Sequence, residues 1–435
     1  MQMNKWLISF FIFLSMMPCM AQDMSLIKKE LDQSAILNNH VFGFSLYDID
    51  QDRFLLGHQE DKHFTPASNT KIFTLFTALQ NLGDTIPALH YIERGDSLIF
   101  WSTGDPTFLH PKLDVGKAYH FLASSAKKLY YAADVVETEP FYRMGWAMED
   151  YDAYYQPEIS TFPIYGNVAT FREEGNKLRI FPARFQTSIA VGDTGGNKFE
   201  VRRSWTSNTF LQNGHRVPKN YVTQKPFRYT DTLFKELLQD TLRKAIEIIS
   251  YSKPTEVDTL FGAATRDVLR EMMLVSDNFL AEQLLMVVAN HRYGTFNTVR
   301  LRKDMAAAFH AALTDQIDLY DGSGLSPYNK VTPRSIVELL LMIAGEVPDV
   351  QALRYLFAAG GREGTLKNTY QLDRGVPFVW AKTGTLKGVY CLSGYIQTRS
   401  GRHLAFSFLH NNFVGPASPV RQEVARIITA IRKNY

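Results

Sequence analysis

Pro66-Ala67-Ser68-Asn69-Thr70-Lys71-Ile72-Phe73-Thr74-Leu75-Phe76-Thr77-Ala78-Leu79-Gln80-Asn81-Leu82-Gly83 is where this chain changes its hydrophobic period. Upstream, Phe42, Phe44 and Leu46 alternate with smaller or polar residues. Asp48 to Arg53 is rich in turn formers and Phe54-Leu55-Leu56 resumes the apolar run, which is the pattern of a β-hairpin. Downstream of Pro66, the residues Ile72, Leu75, Phe76, Leu79 and Leu82 form one stripe at helical spacing, and Gly83 is placed to end the helix. Ser68 therefore opens a helix, with Lys71 one turn on and on the same face. Backbone N–H groups are unpaired at such a terminus and can support a developing oxyanion. A hydroxyl beside an amine there suits a nucleophile and its base. A capping serine looks the same, and Ser-x-x-Lys also occurs at Ser124, Ser125 and Ser250. The tetrapeptide needs company before it means chemistry.

Two further motifs supply it. Ser276-Asp277-Asn278 falls between two helical stretches, and Ser-x-Asn occurs nowhere else in the chain. Lys382-Thr383-Gly384, followed by Thr385, comes directly after the strand-like Phe378-Val379-Trp380-Ala381. Each alone reads as a helix cap or a strand end. Their conjunction, in this order, is shared by penicillin-binding proteins and class A β-lactamases. The residue types fit serine acyl transfer. A serine hydroxyl is a poor nucleophile until a base takes its proton. A lysine, with a free pKa of about 10.4, serves as that base only where burial or a second cation depresses it. Ser68 is then the nucleophile, Lys71 the base and Lys382 the second cation. Ser276 passes a proton between Lys71 and the leaving amine, and Asn278 bonds the substrate's backbone amide. The N–H groups of Ser68 and Thr385 form the oxyanion hole. Lys382 with the Thr383 and Thr385 hydroxyls holds a terminal carboxylate, with Gly384 between them.

The rest of the chain fits around these motifs. Helical patterning covers Thr265–Ala289 and Thr298–Leu313. Strands follow at Phe378–Ala381, Val389–Ile396 and His403–Leu409, and Pro419 opens an amphipathic helix carrying Val420, Val424, Ile427, Ile428 and Ile431. Strands at both ends suggest one sheet built from the two termini. The stretch 88–254 is mostly short strand-like segments, with helical patches near Lys117–Tyr131 and Asp231–Ile249. It is read as inserted material in one or two subdomains, and 22–87 with 255–435 as the catalytic part.

The 435 residues suggest two or three domains, and 45% hydrophobic content allows a proper core. A net charge of +3, without a Lys/Arg block, argues against nucleic acid as a partner. Lys5, the apolar run Trp6–Met17 and the small residues of Cys19-Met20-Ala21 read as a signal peptide cut after Ala21, hence an exported protein with no membrane span once cleaved. A lipoprotein route through Cys19 is the alternative, which Pro18 and Met16 fit poorly. Cys391 sits in an alternating apolar run and reads as a small core residue. Cofactors and metals are not expected: there is no Cys-x-x-Cys, no His-Glu-x-x-His and no EF-hand loop.

Taken together, Pro66–Lys71, Ser276–Leu285, Asp321-Gly322-Ser323-Gly324-Leu325-Ser326, Val331-Thr332-Pro333 and Ala381–Leu386 resemble the class C low-molecular-mass penicillin-binding proteins, the D-alanyl-D-alanine carboxypeptidase/endopeptidase family. The segment around Gly104 is similar as well. The resemblance implies an α/β fold: a penicillin-recognising, serine transpeptidase-like domain, with an antiparallel sheet flanked by helices, split by a large insertion between the first two motifs. Here those motifs stand about 200 residues apart, somewhat short for the two extra domains of that family. It also implies peptidoglycan stem peptides as substrate and β-lactams as covalent inhibitors. The rivals are a serine β-lactamase and a penicillin-binding sensor that does not turn over. No Glu-x-x-x-Asn pattern lies between Asn278 and Lys382 to supply a class A deacylating base. No role follows from the sequence for Asp321–Ser326.

Overall fold

In the computed structural model, residues 24–133 and 140–435 are described. The expected leader 1–21, including Cys19, lies outside them. Among the described residues no helix is long and apolar enough to cross a membrane.

The strands β1 (Val41–Asp48) and β2 (Arg53–His58) form the expected hairpin. The short β3 (Ala358–Ala359) precedes β4 (Val379–Leu386), β5 (Val389–Gln397) and β6 (His403–Asn411). All six join in one antiparallel sheet of order β3-β4-β5-β6-β1-β2, so the two ends of the chain do build one sheet. Both faces are covered, so β5 is buried along its length from Val389 to Ile396, on both sides of its alternation. Its residues alternate. Cys391 and Tyr395 point into one core with α1 (Lys71–Asn81), α3 (Asn278–Tyr293) and α5 (Pro333–Glu346). Leu392 and Ile396 point into the other, against the apolar stripe of α6 (Ser418–Asn434). Helices α2 (Thr265–Val275) and α4 (Thr298–Ala312) complete the helical layer. Cys391 is fully buried and its thiol is pushed up to about 12 by burial, as suits a packing residue.

Several expectations need correction. α1 ends at Asn81, with Leu82 already extended, so Gly83 is not its terminator. The helix is buried on nearly every side, including Phe73 and Thr74, because it packs on α3 and α5 and, through Phe73 against Phe309, on α4. α5 itself is unforeseen. The Val331-Thr332-Pro333 stretch starts it, with Thr332 accepting from Ser335 N and Pro333 in the first turn. Lys-Thr-Gly lies inside β4 rather than at its end.

The inserted chain leaves α1 through Asp84 and returns at Thr265, whose N–H donates to the Asp84 carbonyl at 2.8 Å. Between them a five-stranded sheet pairs Thr85–Arg94 with Asp258–Ala264 on one side and Ser97–Ser102 on the other, followed by Lys128–Ala132 and Ile246–Ile249. The expected helical patches are shorter than their period suggested. Helices cover Lys117–Ser124 and Asp231–Leu242, and the residues after each turn into strands of this sheet. Two three-stranded sheets follow the same core, in which Phe100, Phe162, Phe171, Phe210 and Phe234 are all buried.

Candidate active site

Ser68 sits in a 3₁₀ turn, Ala67–Thr70, that runs straight into α1. The turn is tight. Ala67 has φ 47°, and the Thr70 hydroxyl donates to the Ala67 carbonyl at 2.8 Å. Two glycines let other segments press against it. A Cβ on Gly384 of β4 would fall 2.6 Å from the Pro66 carbonyl oxygen and 3.1 Å from Ser68 N. Gly324, at φ +83°, is closer still: a Cβ there would lie 1.9 Å from the Ala67 carbonyl oxygen. Asn69 ties the turn to β4 by donating to the Lys382 carbonyl at 3.0 Å.

Lys71 is fully buried and its Nζ donates three hydrogen bonds: to Ser68 Oγ at 3.0 Å, to Asn278 Oδ1 at 2.6 Å and to the Ser323 carbonyl at 2.6 Å. Burial lowers its pKa to about 8, against the pull of the Asp321, Asp277 and Glu282 carboxylates. Lys382, on β4, is equally buried. Its Nζ donates to Ser276 Oγ at 2.7 Å and to the Thr383 carbonyl at 2.7 Å. Burial first, and then the Lys71 charge, hold its pKa well below the ordinary value. Two buried amines in one site oppose each other's protonation.

The eight residues picked from sequence lie about one cleft, yet two are wired differently from expectation. Ser276 meets Lys382, and the place expected for it beside Lys71 is taken by Asn278. The cause is local. Ser276 ends α2 in the left-handed region at φ 64°, and Asp277 then caps α3 by accepting from Leu280 N. That break turns the serine toward β4. Asn278 is correspondingly spent inside the protein, since its Nδ2 donates to the Tyr155 carbonyl at 2.9 Å. Thr383 reaches Thr365 Oγ1 at 2.9 Å, and Thr385 is exposed. β3 pairs only with Trp380 and Ala381, which leaves the outer edge of β4 from Lys382 onward to the cleft.

The cleft encloses about 1160 Å³ and is lined by Ser68, Ser276, Asn278, Thr385 and Leu325, with Tyr154, Tyr155 and Gln156 from the inserted chain forming the opposite wall. Of its carboxylates, Asp277 caps α3 and Glu271 pairs with Lys112 at 2.7 Å, while Asp150 lies on the wall from the inserted chain. Among the described residues no group of three His, Cys, Asp or Glu side chains is arranged to hold a metal ion.

The role of Asp321–Ser326, opaque in sequence, is to brace Lys71. Asp321 accepts from Gly324 N and Ser326 N, and Glu282 Oε1 accepts from Gly322 N and Ser323 N, both at 2.8 Å. Thr74 of α1 donates to the Gly322 carbonyl at 2.7 Å. The Ser323 carbonyl is thereby aimed at Lys71. Glu282 and Gln283 are fully buried in the otherwise apolar run Phe279–Ala289. That misfit, a charge in the middle of a core helix, was the available sequence signal.

A family model described as Peptidase_S13, the D-Ala-D-Ala carboxypeptidase 3 (S13) family, matches residues 24–431. The chain is 26% identical over 422 residues to a D-alanyl-D-alanine carboxypeptidase DacB of Haemophilus influenzae, covering 85% of each. It is 25% identical over 446 residues to a D-alanyl-D-alanine carboxypeptidase of Actinomadura sp. strain R39, covering 90% of this chain and 81% of the other. The crystal structure of penicillin binding protein 4 (dacB) from Haemophilus influenzae superposes with a TM-score of 0.73 at 23% identity, over 94% of this chain and 99% of that one.

Proposed function

The chain belongs to the D-Ala-D-Ala carboxypeptidase 3 (S13) family and is a serine peptidase, and from the geometry of its cleft we propose how its residues divide the cleavage of D-alanyl peptide stems. The observation that carries the reading is the Ser68 Oγ–Lys71 Nζ contact of 3.0 Å, with the amine buried and its pKa near 8. Neutral Lys71 takes the Ser68 proton as Oγ bonds to the penultimate D-alanine carbonyl carbon. The N–H groups of Ser68 and Thr385, on the two segments that Gly384 brings together, receive the oxyanion. Lys382, Thr383 and Thr385 hold the terminal carboxylate. This anchors the departing residue so that its amine lies near Ser276, whose hydroxyl relays to it the proton that Lys71 took from Ser68 as the C–N bond breaks, leaving Lys71 neutral again. Water then cleaves the ester, giving its proton to Lys71. Asn278 serves by positioning Lys71.

A carboxylate bound at Lys382 favours that amine's cation, which in turn opposes protonation of Lys71. Substrate arrival thus helps to make the base. With a penicillin the leaving group stays tethered to the acyl group and shields the ester from water, so the adduct persists. We also propose that residues 1–21 are removed on export and that the mature enzyme works in the periplasm or cell envelope. Product analysis on monomeric and cross-linked muropeptides tests the activity. Release of D-alanine, or separation of cross-linked stems, is expected. Rapid multiple turnover of penicillin without peptide cleavage would favour the β-lactamase reading instead. Fluorescent penicillin should label one site and Ser68→Ala should abolish it; persistent labelling refutes the nucleophile.

A further inference from the structure

The inserted chain between Pro140 and Thr161 crosses α3 and touches the surroundings of Lys71 at three points. Arg143 Nε donates to Glu282 Oε2 at 3.2 Å, and the two side chains are only 2% and 0% exposed. Trp146 Nε1 donates to Asp321 Oδ2 at 2.9 Å. The Tyr155 carbonyl receives Asn278 Nδ2. Behind the first contact stands a short chain of bonds: the other oxygen of Glu282 holds Gly322 N and Ser323 N, and the Ser323 carbonyl meets Lys71 Nζ.

We propose that Arg143 is a positioning residue for the Ser68–Lys71 pair, acting through Glu282 and the Gly322–Ser323 backbone it holds. The inserted chain would then be part of the catalytic apparatus as well as a wall of the cleft. The proposal rests on the reading of Lys71 as the base.

The physical case is the cost of a buried, unpaired carboxylate. Glu282 is fully buried, and burial first and Asp321 second push its pKa up. Arg143, with Arg302 and the Ser323 contact, opposes that rise. Without Arg143 the carboxyl takes a proton, as buried carboxylates do when their partner is removed. A neutral carboxyl accepts the two loop N–H bonds more weakly than an ionised one. It also no longer attracts the Lys71 ammonium. The charged groups around Lys71 are Asp277, Asp321, Glu282 and Lys382. Loss of the Glu282 charge and loosening of the Ser323 carbonyl both disfavour the cation, so both move Lys71 toward the neutral form.

The test is the pH profile of penicillin acylation in Arg143→Met. The plateau rate should fall roughly tenfold because the base is loosely held, and the acid limb should move to lower pH by about half a unit or more. A merely structural loss lowers the amplitude and leaves the midpoint in place. Arg143→Lys, which keeps a cation beside Glu282, should restore most of both. Should Arg143→Met not fold, Arg143→Met with Glu282→Gln removes both charges, spares the core an unpaired ion, and must still show the acid shift. An unmoved midpoint in a folded variant overturns this proposal alone. An unlabelled native protein overturns it together with the Ser68 reading.

Discussion

The pKa of Lys71 makes a quantitative demand on the rate of acylation. A lysine at its ordinary 10.5 is unprotonated in about 1 molecule in 3000 at pH 7; at about 8 the fraction is about 1 in 10, a gain of roughly 300-fold in competent enzyme. Only the neutral amine can take the Ser68 proton, so activity is lost as pH falls through that value. The second-order rate constant for acylation by penicillin, which reports the free enzyme, should rise about 90-fold between pH 6 and 9 with its midpoint near 8. The magnitude is set by burial: Lys71 has no exposed surface, and three carboxylates only partly offset the desolvation. With a D-Ala-D-Ala peptide at saturation, kcat should show its limb at lower pH than kcat/KM, because the bound carboxylate favours charge on Lys382. The measurement is a stopped-flow acylation series alongside steady-state D-alanine release across the same buffers. A profile still climbing at pH 10, or a kcat limb above that of kcat/KM, refutes Lys71 as the base or Lys382 as its coupled partner.

Two further consequences can be measured. Because the folded state depresses the Lys71 pKa, the unfolded chain holds more protons between pH 8 and 10.5, and the protein's stability gains with pH across that window. Relative to Lys71→Met, the native protein should gain about 3 kcal/mol in denaturant titrations over that range; a pH-independent difference would show that the amine is not depressed. Gly324→Ala places a Cβ 1.9 Å from the Ala67 carbonyl oxygen at φ +83°, so the Ser68 turn must shift. Penicillin labelling should drop at least about tenfold, with melting lowered by several degrees, and unchanged labelling would mean the turn is not fixed by this contact.

What the sequence made legible was whatever is written in short-range pattern. The hairpin, the stripe of α1 and the strands β4 to β6 follow from period, and the three motifs name the residues that the fold gathers. What it hid depends on backbone detail or on distance. Ser276 faces Lys382 because one residue adopts a left-handed conformation between two helices, which no spacing rule reveals. The strands after Lys117–Ser124 and Asp231–Leu242 looked helical because a short amphipathic run does not mark its own end. Arg143 and Glu282 are 139 positions apart, and only folding makes them neighbours. Glu282 did announce itself, as a charge in a core helix, but not its partner.

The arrangement around Lys71 balances two failures. Burial alone would drive the amine toward a pKa so low that it would bind the Ser68 proton poorly; a general base works best near the pH at which it operates. Carboxylates alone would keep it protonated and idle. Placing it in the core beside Asp321, Asp277 and Glu282, none of which is hydrogen-bonded to Nζ directly, sets it between those limits. The bonds it does make go to neutral acceptors: a hydroxyl, a side-chain amide and a carbonyl. Each of these can stay bonded to a neutral amine, which a carboxylate pair would resist forming. The carboxylates act one layer out, where they fix the Gly322–Ser326 backbone and temper the burial. That layer must itself stay ionised inside a core, which requires a cation for Glu282. Arg302 of α4 contributes less to this than Arg143, and the amines of the catalytic part, Lys71 and Lys382, stand where the chemistry needs proton exchange. A permanently charged guanidinium is the side chain that can meet the requirement without titrating, and the chain delivers it from the insertion.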